Sequence, residues 1–265
     1  MPKIRPRYSD HPIVGKESTA TTLAISRSDY ETFSAQNLGL GDLSQGGVRV
    51  EALAAVFDLK DFTNFCSQND PHLVLPEFLQ NYLDWLFKGI KKEFTSTEPV
   101  ADKSLVSLWS PLPIYSKFLG DGVLFIWDVG DRSANEIGNI IIGLRLICIA
   151  YSKEFLPTTS EALSRTPPLL RCGVARGQVF TVGEENDYVG PCINLAARLQ
   201  RLSSNLQFIF SRKGIDPKAA FAENVLPHLM TMKAPIRGVG DDERVVVFDQ
   251  DYNKLSPQEK AKLTK

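Results

Sequence analysis

Two aspartates and an asparagine–arginine pair are the side chains in this sequence best placed to do chemistry. Asp58 directly follows an apolar run, Ala52-Leu53-Ala54-Ala55-Val56-Phe57, and Asp121 stands in Gly120-Asp121-Gly122 between two more. A carboxylate directly after a buried run costs stability unless something pairs with it. Two carboxylates at one sheet edge, with a few backbone carbonyls, make a hard-oxygen site for Mg²⁺ or Mn²⁺ bound with a triphosphate. The Gly-Asp-Gly tip equally describes Asp121 as an ordinary turn residue. Asn194 and Arg198 are four apart, so on a helix they share a face. An amide beside a guanidinium can fix a ribose and clamp a phosphate; the same spacing also describes a solvated helix face.

The elements that must hold these groups follow from hydrophobic period. The run from residue 50 to 57 has no polar break after Glu51, as in a strand buried on both faces. Leu75, Phe78, Leu79, Tyr82, Leu83, Leu86, Ile90 and Phe94 recur at threes and fours. They predict an amphipathic helix with Pro76 in its first turn. Apolar runs at 114–119 and 123–127 flank Gly-Asp-Gly and predict a hairpin. A second helix carries Ile137, Ile140, Ile141, Leu144, Cys148 and Tyr151. Pro167-Pro168 then breaks the chain before a second expected hairpin, 169–174 with 179–182. A short helix at 193–202, a strand at 206–210 and a last core strand at 244–248 follow. Ser256-Pro257-Gln258-Glu259 reads as a capping box opening a short helix in a tail over 251–265. This order predicts an α/β fold, an α+β sandwich with a mixed β-sheet covered by helices. Residues 1–47, rich in Ser, Thr, Gly and charge, read as a partly ordered N-terminal arm. One large domain is expected over 48–250.

Composition narrows the function classes. With 30 basic and 31 acidic residues the net charge is −1, so no nucleic-acid or anionic-membrane surface is expected. A phosphate site must then be a local cluster of positive charge. The start of the chain has no apolar run to make it a signal peptide. The most apolar stretch, 137–150, is interrupted by Gly138, Asn139, Gly143 and Arg145 and is too short to span a bilayer. A cytoplasmic location is expected. Cys66, Cys148, Cys172 and Cys192 are scattered without CxxC spacing and read as reduced core thiols. His11, His72 and His228 are too far apart in sequence to indicate histidine-centred catalysis.

Four segments together resemble the class III adenylate/guanylate cyclase catalytic domain. They are Val56-Phe57-Asp58-Leu59-Lys60-Asp61-Phe62-Thr63, Lys117-Phe118-Leu119-Gly120-Asp121, Arg171-Cys172-Gly173-Val174-Ala175-Arg176-Gly177 and Gly190-Pro191-Cys192-Ile193-Asn194-Leu195-Ala196-Ala197-Arg198. They stand in the family order over about 48–250. The resemblance implies a cyclase-like mixed sheet with a ferredoxin-like βαββαβ core. It implies closure of a nucleoside triphosphate to a 3′,5′-cyclic nucleotide with release of pyrophosphate. Asp58, Asp121 and the Leu59 carbonyl would hold two Mn²⁺ or Mg²⁺ ions. Backbone N–H groups of Lys60, Asp61, Phe62 and Thr63 would cradle phosphates, with Arg171 a further contact. Asn194 would orient the ribose and Arg198 stabilise charge on the α-phosphate. The two halves of a family site come from facing chains, so a head-to-tail homodimer is implied.

The chain also departs from the family pattern. The family's late phosphate lysine falls at Val239 here, with Arg237 the expected substitute. Phe57 replaces a small residue at the base-facing wall, and Val56 stands where phenylalanine is usual. Lys117 and Asp187 fall where adenylate cyclases read the base, yet that donor–acceptor pair suits adenine, cytosine or, exchanged, uracil. Phe57 to Cys66, Asp70-Pro71-His72 and Tyr82 to Phe87 resemble the bacterial pyrimidine cyclases of the Pycsar antiphage defence. That resemblance implies cyclic UMP or cyclic CMP acting on a separate effector. An adenylate cyclase, or a degenerate non-catalytic cyclase-like module, are the competing readings. Asp58→Ala is expected to remove turnover and leave the fold nearly intact.

Overall fold

The computed structural model describes residues 8–12, 21–31, 47–67, 71–98, 104–162, 168–183, 187–202 and 205–264. Most of the expected arm, Asp70 and Pro167 lie outside them. The chain divides into two compact units, Met1–Arg49 with Phe180–Val189, and Val50–Val179 with Gly190–Lys265.

In chain order the elements begin with β1 (Tyr8–Pro12), β2 (Thr21–Ile25), α1 (Arg27–Glu31), β3 (Arg49–Leu59), α2 (Phe62–Cys66) and α3 (Pro71–Phe94). There follow β4 (Tyr115–Phe118), β5 (Gly122–Asp128), α4 (Ala134–Ala150), a π-helical turn (Tyr151–Phe155), α5 (Leu156–Ala162) and β6 (Leu170–Val182). Then come β7 (Asp187–Val189), α6 (Pro191–Leu199), β8 (Phe208–Ser211), α7 (Pro217–Ala220), β9 (Leu229–Ile236), β10 (Gly240–Phe248), α8 (Asp249–Asn253) and α9 (Pro257–Lys260).

Strands β1 and β2 pair with each other. The other eight form one mixed sheet in the order β4-β5-β3-β6-β8-β10-β9, with β7 on β6. Its neighbours run antiparallel at β4/β5, β3/β5, β8/β10 and β10/β9, and parallel at β6/β8. The run β3-α3-β4-β5-α4-β6, with strand order β4-β5-β3-β6, is the ferredoxin-like βαββαβ expected from the sequence.

Alternation along the strands decides which side chains meet the helices. Leu53, Ala55, Phe57 and Leu59 join Val123, Phe125 and Trp127 of β5 in one core cluster with α3 and α4. The intervening Ala52, Ala54, Val56 and Asp58 therefore point to the other face, where they are also buried. On that face α6 lies hard against β6: a Cβ on Gly173 would sit 2.2 Å from the Ala196 carbonyl oxygen. Helices cover both faces, which is why the strand reads as an unbroken apolar run.

Three expectations need correction. The hairpin expected over 169–182 is one strand of 13 residues. Its first part pairs parallel with β8 and its last part with β7, so Ala175-Arg176-Gly177-Gln178 is extended backbone. Gly177 serves packing instead, because a Cβ there would lie 3.2 Å from that of Cys192. Strand β9 was not anticipated. Its Pro235 and polar residues mask the pattern, and proline is tolerated because β9 is the outer strand. Helix α3 starts at Pro71, so Pro76 lies inside it rather than in its first turn. The Ser256–Glu259 capping box closes, and the four cysteines are free thiols, three of them buried. Among the described residues no helix is long and apolar enough to cross a membrane.

Candidate active site

The β3–β5 register brings the two aspartates together. Asp58 lies opposite Gly122, and the Leu59 N–H donates to the Asp121 carbonyl at 2.9 Å. The two strands can approach this tightly because Gly122 has no side chain: a Cβ there would stand 2.0 Å from the Phe57 carbonyl oxygen. Gly120 takes a left-handed φ of 98°, leaving Asp121 to present the turn's side chain.

Asp58, Leu59 and Asp121 line a cleft of about 240 Å³. Asp61, Phe62, Thr63 and Asn64 form one wall, and Arg171 and Arg201 bring positive charge. Asp58 is only 3% exposed. The Arg171 guanidinium donates through Nη2 to its Oδ2, and Arg201 Nη2 lies 3.9 Å from Oδ1. Arg171 reaches Asp58 from the neighbouring strand, on the same face by alternation. Its Nε is buried with no hydrogen-bond partner.

The expected phosphate cradle is partly committed elsewhere. The Lys60 N–H donates to the Leu169 carbonyl at 2.9 Å, and the Lys60 ammonium lies 3.8 Å from Asp61. Asp61 is the one non-glycine residue with positive φ among those described, at 59°. It turns the chain into α2, whose first N–H groups, at Phe62 and Thr63, have no intrahelical acceptor.

Asn194 and Arg198 are exposed on α6, and neither lines this cleft. Arg198 Nη1 donates to the Arg237 carbonyl in the β9–β10 turn. Arg237 and Val239 are exposed and also lie outside the cleft lining. The base-reading residues belong to different compact units. Lys117 is exposed on β4, and Asp187 opens β7, its carboxylate accepting the Tyr188 N–H at 2.8 Å. Phe57 is turned away from the cleft, fully buried and edge-on to Phe125 at 6.0 Å, so the expected base-facing wall does not form there. Sequence reasoning missed Arg201; its one signal was a second arginine a helical turn after Arg198.

Among the described residues no cluster of three or more His, Cys, Asp or Glu could hold a metal. The cleft nevertheless fits Mg²⁺ or Mn²⁺ through two carboxylates and the Leu59 backbone, since hard cations take oxygen donors and keep several waters. The buried Asp58 carboxylate is meanwhile neutralised by the Arg171 guanidinium, as burial requires.

No protein-family model matches the sequence, and no curated protein matches it significantly. Solved structures do match. The adenylyl cyclase CyaB from P. aeruginosa is similar at a TM-score of 0.54 and 19% identity, over 76% of this chain and 95% of that one. The chain has the fold of a nucleotidyl cyclase catalytic domain. The guanylyl cyclase Cya2 is similar at 0.54 and 19%, over 77% of this chain and 93% of that one. The catalytic core of a rhodopsin-guanylyl cyclase with converted specificity, solved in complex with ATPαS, is similar at 0.52 and 15%, over 76% and 97%.

Proposed function

We propose that the chain is a nucleotidyl cyclase that closes a nucleoside triphosphate, with pyrimidines preferred, into a 3′,5′-cyclic nucleotide and pyrophosphate. The observation that carries this reading is the cleft where Asp58 and Asp121 meet, in a fold shared with adenylyl and guanylyl cyclases. Two Mn²⁺ or Mg²⁺ ions, when bound, supply acidification of the ribose 3′-hydroxyl and neutralisation of the phosphates. Asp58, Asp121 and the Leu59 carbonyl hold them. The Phe62 and Thr63 N–H groups would meet phosphate oxygens, and Arg171 sets positive charge beside the same anion. Asn194 of a facing chain orients the ribose, and Arg198 stabilises charge growing on the α-phosphate.

Two observations support a head-to-tail homodimer. Asn194 and Arg198 do not line their own chain's carboxylate cleft. Apolar side chains are also exposed beside both halves: Phe118 and Leu119 next to the Asp121 turn, and Val239 next to the turn that holds Arg198. Such rims are suited to covering by a second copy.

The pyrimidine preference, and a role in antiphage defence through a separate effector, rest on the sequence resemblance around Phe57 to Cys66. Lys117 and Asp187 are the residue types an adenylate cyclase would use, which makes cyclic AMP the second reading. Incubating the purified chain with Mn²⁺ and UTP, CTP, ATP or GTP in turn, with chromatography of the products, separates these. Cyclic UMP or cyclic CMP is expected. Cyclic AMP as the main product would end the pyrimidine reading, and no cyclic product from any of the four would overturn the enzyme.

A further inference from the structure

The cleft contains three carboxylates, Asp58, Asp61 and Asp121, against two guanidiniums, Arg171 and Arg201. Those two arginines are not equivalent. The Arg171 side chain is 12% exposed and fixed on Asp58, whereas the Arg201 side chain is 67% exposed and stands off Asp58 at 3.9 Å. At that length, with the guanidinium largely in solvent, the Arg201–Asp58 contact is weak and easily exchanged. Arg201 follows α6 in a turn closed by its own N–H on the Arg198 carbonyl at 3.1 Å, so the backbone holds it at the cleft while the side chain can swing.

Even with two divalent ions bound, a triphosphate of about four negative charges together with the three carboxylates outweighs those ions and Arg171. The β9–β10 turn, where the sequence suggested a replacement phosphate cation, places Arg237 and Val239 outside the cleft lining. We infer that Arg201 is a triphosphate-binding residue of this chain's own cleft, exchanging the Asp58 carboxylate for phosphate oxygens. A divalent ion on Asp58 would repel the guanidinium from that carboxylate, and the polyanion would attract it, so the two ligands drive the same swing. This inference rests on the cyclase reading of the cleft.

Calorimetry tests it without turnover, with Mn²⁺ alone and with Mn²⁺ plus inorganic tripolyphosphate as probes. Arg201→Gln should bind manganese tripolyphosphate about tenfold more weakly, the scale of one hydrogen bond to a charged group. It should bind Mn²⁺ alone at least as tightly as wild type, because a neighbouring cation is gone. Arg201→Lys should recover most of the tripolyphosphate affinity, and because the side chain is exposed both variants should melt with wild type. In turnover, KM for the triphosphate should rise with kcat little changed. Unchanged tripolyphosphate affinity and KM in Arg201→Gln would overturn the inference while leaving the cyclase intact. Wild-type protein that binds tripolyphosphate through Arg201 but cyclises no nucleotide would overturn the proposed function instead.

Discussion

At Asp58 the carboxylate is already committed to a buried guanidinium, and this alters what its removal should do. The sequence suggested that Asp58→Ala would silence the enzyme and spare the fold. The Arg171 side chain it pairs with is only 12% exposed, and deleting one partner of a buried pair costs about 3–5 kcal/mol. We therefore expect Asp58→Ala to lose both turnover and several kcal/mol in chemical denaturation. Asp58→Ala with Arg171→Met should regain much of the stability and none of the activity; equal denaturation midpoints for wild type and Asp58→Ala would sink this account. Asp121 is half-buried at a turn tip, so Asp121→Asn should remove turnover at nearly unchanged melting temperature, which makes it the cleaner probe of chemistry. Both aspartates were legible because a carboxylate against an apolar run and a Gly-Asp-Gly tip are local signals. Arg201 was not, because the carboxylate it answers lies on a strand far earlier in the chain. Phe57 was misplaced because the apolar run did not reveal which face met the helices.

Among the elements, the β3–β5 pairing depends on one position. Gly122→Ala should destabilise the protein by about 1–3 kcal/mol through overpacking against the Phe57 carbonyl, and should lower activity because it moves Asp58 relative to Asp121. Helix α4 begins at a closed capping box, Ser133 with Glu136. Ser133→Ala should cost about 1 kcal/mol by thermal or chemical denaturation. The Ser133 N–H and then its hydroxyl hold the Glu136 carboxyl below its ordinary 4.5. A carboxyl depressed in the folded state stabilises above its unfolded value and loses that contribution as pH falls through the folded one. Glu136→Gln should therefore flatten the acid side of the stability profile below about pH 4.5, and an unchanged slope would count against the cap. Helices α3 and α4 were readable from their period over several turns. Strands β6 and β9 were not, since a glycine that admits Cys192 mimics a turn and an edge strand can carry proline.

For the whole molecule, the separation of Asp121 from Asn194 and Arg198 makes a prediction about pairs of chains. Asp121→Asn and Arg198→Ala should each be inactive alone. Mixed, they should recover roughly a quarter of wild-type turnover, because half the pairs are heterodimers with one intact site in two. No recovery after demonstrated subunit exchange would place the whole site within one chain. The unpaired thiols have a different use. Burial pushes Cys192 up to about 11 and Cys172 well above its ordinary value, while Cys66 at the end of α2 is half-exposed. At pH 8 only about one Cys192 in a thousand is thiolate, so an alkylating reagent should modify Cys66 first and the others only as their surroundings open. The protein thus carries its own clock for breathing motions, with Cys192 timing the lifting of α6 and Cys148 and Cys172 timing the parting of α4 from the sheet.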